Sequence, residues 1–378
     1  MSGPDYRAAE IAIVGGGIIG CAIAYELARK GHDVAVIERG AIGREASGAS
    51  AGVIGPPSQT DLPPVRVELT ARSLAAYPWL VAALQEETGL DVGYRQWGTL
   101  LVARDERELA RLRALLSWQE ELGFDSEWVD AAELRELEPT LPAGLRGALL
   151  ANDGGSVHVY RLTRALAAAA ARRGARLIEH TPALGLTTRG ARVTGVRLPA
   201  GSLPAAQVVL AAGAWTAGLG QALGRPLPTI PVKGQMLAIG GVLHPPQHVI
   251  GGAGGYLVSR TDGTVAVAAT EEYVGFDTRV TPAGLQTLVG LVAALGPGLL
   301  QGEVIATWAG LRPGSADGEA IVGPVPGYDN LWVASGHHRT GVQLAIGTAE
   351  VLVASLLAGA PDPLLAPLSP ARFAAPPR

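Results

Sequence analysis

Apolar and polar positions fall in blocks whose period changes along the chain. Residues 11–14 (IAIV) are an unbroken apolar run, read as a short strand buried on both faces. A glycine cluster follows. Residues 23–30 then carry helical spacing that stops at Gly31, and residues 34–37 make a second apolar strand. Residues 64–89 read as a long helix with a kink before Pro78, and residues 105–123 as a helix with one charged face. Residues 157–186 give a helix and then a strand from about Ala175. Residues 191–216 give a hairpin, then a separate buried strand at 208–211 and a glycine junction at Gly213. Strands at 256–260 and 264–270 face each other across Thr261-Asp262-Gly263, an Asp-Gly turn signal. Residues 281–295 are a further helix, and a buried strand from 303 ends at Gly310-Leu311-Arg312-Pro313. The last strand and last helix occupy residues 330–359. This alternation predicts an α/β fold interrupted by insertions, not a string of separate domains.

Composition narrows the classes. The chain has 378 residues, 48% hydrophobic and 17% charged, enough for a sizeable core in two domains or one enlarged domain. Net charge is −4 without a basic block, which argues against nucleic acid and anionic membranes as partners. No apolar run is read as approaching the roughly 20 residues of a membrane span. The first ten residues lack the features of a signal peptide, so a cytoplasmic location is expected. The single cysteine, Cys21, excludes an internal disulfide and a cysteine-based metal cluster. The histidines are scattered, and no metal site is expected.

The first chemistry lies between the first two strands. Gly15, Gly17 and Gly20 form G-x-G-x-x-G, and Glu38 closes the second strand 18 residues past Gly20 (38 − 20). Gly15 permits the tight turn, Gly17 the approach of a pyrophosphate, and Gly20 close packing of helix on strand. The helix N-terminus offers free N–H groups and a positive dipole end. Glu38 is placed to accept from a ribose diol. Strand before, helix after and acid in place together indicate dinucleotide binding. The motif's position at the start of the chain, together with a second strand–glycine junction at Gly213, favours FAD over NAD.

Several stretches carry a resemblance: Gly15–Gly20 with Glu38, "DGGSVHVYRL", "PVKGQMLAI", "YLVSRTDGTVAVAAT", "WAGLRPGSADGEAIVG" and "SGHHRTGVQLA". With these the chain resembles the D-amino-acid oxidase superfamily of flavoproteins, nearest its glycine oxidase branch, which serves thiamine (thiazole) biosynthesis. The resemblance runs from about residue 10 to 360. It implies a discontinuous Rossmann-like FAD-binding domain (1–85, 150–230 and 310–378). An α+β substrate-binding domain with an antiparallel sheet would take 86–149 and 231–309.

The resemblance also implies roles. Ile18 and Ile19 lie in the phosphate turn, and Arg39 follows the ribose-binding Glu38. Ala46, Ser47, Ala51, Gly52 and Val53 form the loop beside the flavin, and Ala183 offers its backbone to the adenine. His337, His338, Arg339, Thr340, Gly341, Val342 and Gln343, at the start of the last helix, wrap the isoalloxazine. There a positive dipole end would stabilise the reduced ring. Tyr256, Arg312 and Arg339 are the candidate catalytic residues. Arg312 suits a carboxylate, because a guanidinium grips one bidentately and is costly to bury without an anionic partner. Tyr256 would add a hydrogen bond and close the pocket. The implied reaction is oxidative deamination of glycine, sarcosine or a small D-amino acid, with hydride passed to flavin N5 and O2 reduced to H2O2.

Three positions depart from the branch: Glu271 and Val53 each replace an apolar methionine, and Gly254 replaces a pocket histidine. Glu271 facing the pocket would shift the choice toward a cationic amine, and pointing to solvent it would change nothing; together the three open the range to larger D-amino acids or N-methyl and cyclic amines. Neither Cys21 nor the histidine-free "REASGAS" offers a covalent tether, so non-covalent FAD is expected. Open alternatives are an FAD-dependent D-amino-acid or secondary-amine dehydrogenase with another electron acceptor, a nucleotide-binding protein without turnover, and an NAD-dependent enzyme. A homo-oligomer is also left open.

Overall fold

The buried run expected at residues 11–14 is the strand Ala9–Val14, at the centre of an eight-stranded sheet. The computed structural model describes residues 6–373, so the outer ends of the expected FAD-binding segments lie outside the described residues. Ala9–Val14 pairs in parallel with Val34–Ile37 on one side and with Gly201–Leu210 on the other. Arg176–Ile178 and Leu331–Ser335 extend the parallel ladder, and Ile321–Pro324 closes one edge antiparallel. Side chains alternate across it. Ile11 and Ile13 join the core formed with helices Ile18–Arg29, Pro64–Thr88, Val159–Arg172 and Gly341–Ala358. Ala12 and Val14 face a second cluster under the hairpin strand Arg192–Leu198. Parallel strands covered on both faces read as continuous apolar runs, which is why they were legible.

Three expectations are corrected. The hairpin arm and the buried strand at 208–211 are one strand, Gly201–Leu210. Its first residues pair antiparallel with Arg192–Leu198, and from Ala205 it pairs parallel with Ala9–Val14. The strand from 303 does not end before Arg312. Glu303–Ser315 runs straight through it, and its first five residues are exposed rather than buried, because it is a sheet edge. Pro313 faces Pro231 across this ladder, so two residues without an N–H meet each other. Finally, His338–Ala358 is 21 residues long and apolar enough to cross a membrane, but 67% of its apolar window is buried inside the fold, as expected of a core helix.

The second eight-stranded sheet runs in the order Glu303–Ser315, Thr229–Gly240, Val265–Ala268, Gly255–Ser259, Val249–Gly252, Thr99–Ala103, Gly147–Ala151, Ser126–Val129. All neighbours are antiparallel except Val249–Gly252 with Thr99–Ala103. Helix Pro282–Leu295, capped by the Thr281 hydroxyl on the Gly284 N–H, packs its apolar side on this sheet. The sheets meet where the Trp308 indole N–H donates to the Ala49 carbonyl at 3.1 Å. That contact ties the small-residue loop after the second strand to the edge strand carrying Arg312.

Candidate functional site

Between the sheets lies one elongated cleft of about 540 Å3. One end is set by the glycine turn. Gly15 has φ +114°, and a Cβ there would stand 2.3 Å from the Ala211 carbonyl oxygen of the neighbouring strand. Only glycine fits that turn. A Cβ on Gly20 would stand 2.0 Å from the Gly15 carbonyl, so this residue sets how closely helix and strand pack. Helix Ile18–Arg29 starts within the glycine turn itself. Glu38 sits almost buried beneath the turn and accepts from the N–H groups of Gly16 at 2.8 Å and Gly40 at 2.9 Å. The Ser47 hydroxyl accepts from the Ile18 N–H at 2.9 Å, so the small-residue loop closes over the helix start. Arg39 pairs with Glu45, and its guanidinium lies 3.6 Å from the centre of the Trp215 ring. Pro182 and Ala183 line the wall at this end, and Gly213 opens the short helical turn Gly213–Trp215.

The other end is built by the second sheet. Arg312 projects from the edge strand over Gly234, where a Cβ would stand 2.5 Å from its guanidinium. Its Nη1 donates to the Thr270 carbonyl at 3.0 Å, and among the described residues no carboxylate pairs with it. Burial, with Arg339 nearby, pushes its pKa down to about 10, partly offset by Glu271, so the cation persists at neutral pH. Thr270 is itself fixed. Its hydroxyl donates to Glu272 at 2.5 Å and accepts from the Gln235 N–H at 2.9 Å. Glu272 also receives Gln235 Nε2 at 2.7 Å and the fully buried Lys233 at 2.9 Å. Tyr256 lines the cleft from Gly255–Ser259, separated from the Arg312 strand by two others, and packs in one cluster with Ala51 and Val53.

The start of the last helix forms the third wall. His338–Thr340 is a short 3-10 turn leading into Gly341–Ala358. His337 is buried, with Nε2 3.3 Å from the Thr348 hydroxyl. Burial pushes its pKa down to about 4, so the ring is neutral at neutral pH. Among the described residues, its Nδ1 and the buried Nε2 of His338 have no partner.

Of the residues singled out in the sequence, nearly all line this cleft: Gly15, Gly17, Ile18, Ile19, Glu38, Arg39, Ala46, Ser47, Ala51, Gly52, Val53, Ala183, Gly213, Tyr256, Arg312, His337, His338, Arg339, Gly341 and Val342. Gly20, Thr340 and Gln343 do not. Gly20 packs beneath the turn, the Thr340 hydroxyl donates to the His337 carbonyl at 2.9 Å, and Gln343 donates to the Gly55 carbonyl. The sequence reading missed Trp215, Gly234 and the Thr270 carbonyl. Only Gly234 left a trace, in the stretch "PVKGQM".

These walls fit FAD. A glycine cradle with the Glu38 acid stands at one end, and the third wall holds two buried imidazole nitrogens without partners among the described residues. The family described as FAD-dependent oxidoreductase (DAO) matches residues 10–355. The chain belongs to this family. Within it, the chain is 35% identical to a glycine oxidase of Geobacillus kaustophilus over 92% of each protein. The crystal structure of glycine oxidase from that organism superposes with a TM-score of 0.91, covering 98% of this chain and all of that one. A bifunctional ThiO/ThiG protein of Synechocystis is 34% identical over 96% of this chain, which spans 54% of that longer protein. Membership makes the protein an FAD-dependent oxidoreductase of the α/β class expected from its sequence.

Proposed function

We propose that the protein oxidises the C–N bond of a small amino acid (glycine, sarcosine or a small D-amino acid) to an imine that water hydrolyses. O2 is the final acceptor and H2O2 a product. The observation that carries this reading is Arg312, a largely buried cation on the cleft wall with no carboxylate partner among the described residues. A buried cation without a counter-ion is unfavourable, and a substrate carboxylate supplies one. Bound FAD supplies the hydride acceptor. Arg312 grips the carboxylate, and the Thr270 carbonyl, anchored through Glu272 and Lys233, holds the guanidinium in register. Tyr256 closes the pocket beside it. The substrate reacts as its free amine, so no side chain is assigned a proton. FAD is held without a covalent bond, since Cys21 is fully buried in the first helix with its thiol 3.5 Å from the Gly16 carbonyl. The cytoplasm is the expected compartment. The glycine oxidase likeness supports a place in thiamine biosynthesis.

Anaerobic mixing of the purified yellow protein with glycine, sarcosine, D-alanine and D-proline tests this. At least one should bleach the visible flavin band, which should return in air with H2O2 formed. Bleaching without return in air would favour a dehydrogenase, and no bleaching by any of the four would sink the reading.

A further inference from the structure

Arg339 does not face the cleft as a free cation. Its Nε donates to Glu271 Oε2 at 2.8 Å and its Nη2 donates to the same oxygen. The Tyr273 hydroxyl donates to the other oxygen of Glu271 at 3.0 Å. Partial burial works to raise the Glu271 pKa, but these hydrogen bonds outweigh it and keep the carboxyl below its usual range, so it is ionised at neutral pH. Glu271 directly follows Thr270, whose carbonyl holds Arg312. Two charges line the cleft, Arg312 and Arg339, and Glu271 pairs with Arg339 from outside the lining. The sum of the three is one positive charge, the complement of one carboxylate. Arg339 turns its Nε and Nη2 to Glu271, and a second incoming carboxylate would meet Glu271 as a like charge.

We propose that Glu271 determines specificity: by occupying Arg339 it confines the cleft to amines bearing one carboxylate and turns away those bearing two. The inference rests on the amino-acid oxidase reading of the cleft. Remove the Glu271 charge, and Arg312 and Arg339 present two cations, the complement of a dicarboxylate such as iminodiacetate. The pair lies at the rim, with the Arg339 side chain 54% exposed, so solvent moderates the effect.

The test uses the holoenzyme, E271Q and the double variant E271Q/R339M, with two readouts. One is binding of acetate and malonate, followed by perturbation of the visible flavin band. The other is kcat/KM for sarcosine and iminodiacetate. E271Q should shift both ratios toward the dicarboxylate by about tenfold, and E271Q/R339M should lose that shift. E271M, which also releases Arg339, should reproduce it if Gln disturbs the rim. Wild-type protein whose malonate-to-acetate ratio already equals that of E271Q would overturn the inference alone. So would a shift that survives loss of Arg339, or a wild-type preference for a cationic amine that E271Q abolishes. If neither acetate nor malonate perturbs the band in any variant, the carboxylate reading of the cleft falls, and this inference with it.

Discussion

The two ends of the cleft are made in different ways. The nucleotide end is mostly backbone and small residues around Gly15, Gly17, Ser47 and Gly213, with Glu38 tied to main-chain N–H groups and the Arg39–Glu45 pair against Trp215 at its side. The substrate end is long charged side chains from three separate segments: Arg312 on an edge strand, Glu271 on a loop, and Arg339 on the turn before the last helix. At Gly15 and Gly20 the first end has little chemical freedom, because an added Cβ collides with backbone. At the second a side chain can change while the frame stays, which is where the proposed reading puts the choice of substrate. This is the usual division between a scaffold that positions and residues that choose.

The largest effect should come from disturbing the first end. In Gly20→Val the new Cβ would stand 2.0 Å from the Gly15 carbonyl, a contact that no rotamer relieves. Helix and strand must part, and the phosphate cradle with them. The protein should purify with little bound flavin, read from the ratio of absorbance near 450 nm to that at 280 nm. A full complement of flavin would break the contrast, since it would mean that the frame yields as easily as the rim.

Arg312→Met tests the second end. Removing one partner of a buried charge pair costs about 2–5 kcal/mol. The kcat/KM for the preferred amine should fall by about 10² to 10³, while flavin content stays at the wild-type level. A variant that lost flavin as well would show that the two ends are not independent.

What could be read from the sequence follows the same division. The strand–glycine–helix unit with Glu38 is local, and each residue type there has one geometric reason. The parallel strands were visible because burial on both faces leaves a continuous apolar run. Thr99–Ala103, Ser126–Val129, Gly147–Ala151 and Val249–Gly252 were not seen, because short strands of a largely antiparallel sheet are defined by distant partners. Arg312 was picked out by its chemistry, yet its setting was misread: Ile305 and Val304 look like core and are half or more exposed on the edge strand. The Thr270 carbonyl that holds Arg312 is a backbone group, and no residue type signals it. Glu271 could be singled out, but its direction depends on Arg339, 68 residues away.

His337 lies at the junction of the two ends, and its effect should be the smallest. The ring is buried and neutral, with a pKa of about 4 against an ordinary 6.5. Between those values the unfolded chain binds a proton that the folded chain refuses. Stability therefore falls as pH drops below about 6.5, and by pH 5 the loss reaches about 2 kcal/mol from this residue alone. In His337→Asn the side chain cannot titrate, so the drop in melting temperature from pH 7 to pH 5 should be smaller than in the wild-type protein, whatever the variant does to stability at pH 7. Equal drops would mean that the imidazole is protonated in the folded state. The third wall would then carry a charge and belong with the charged end, not with the neutral frame.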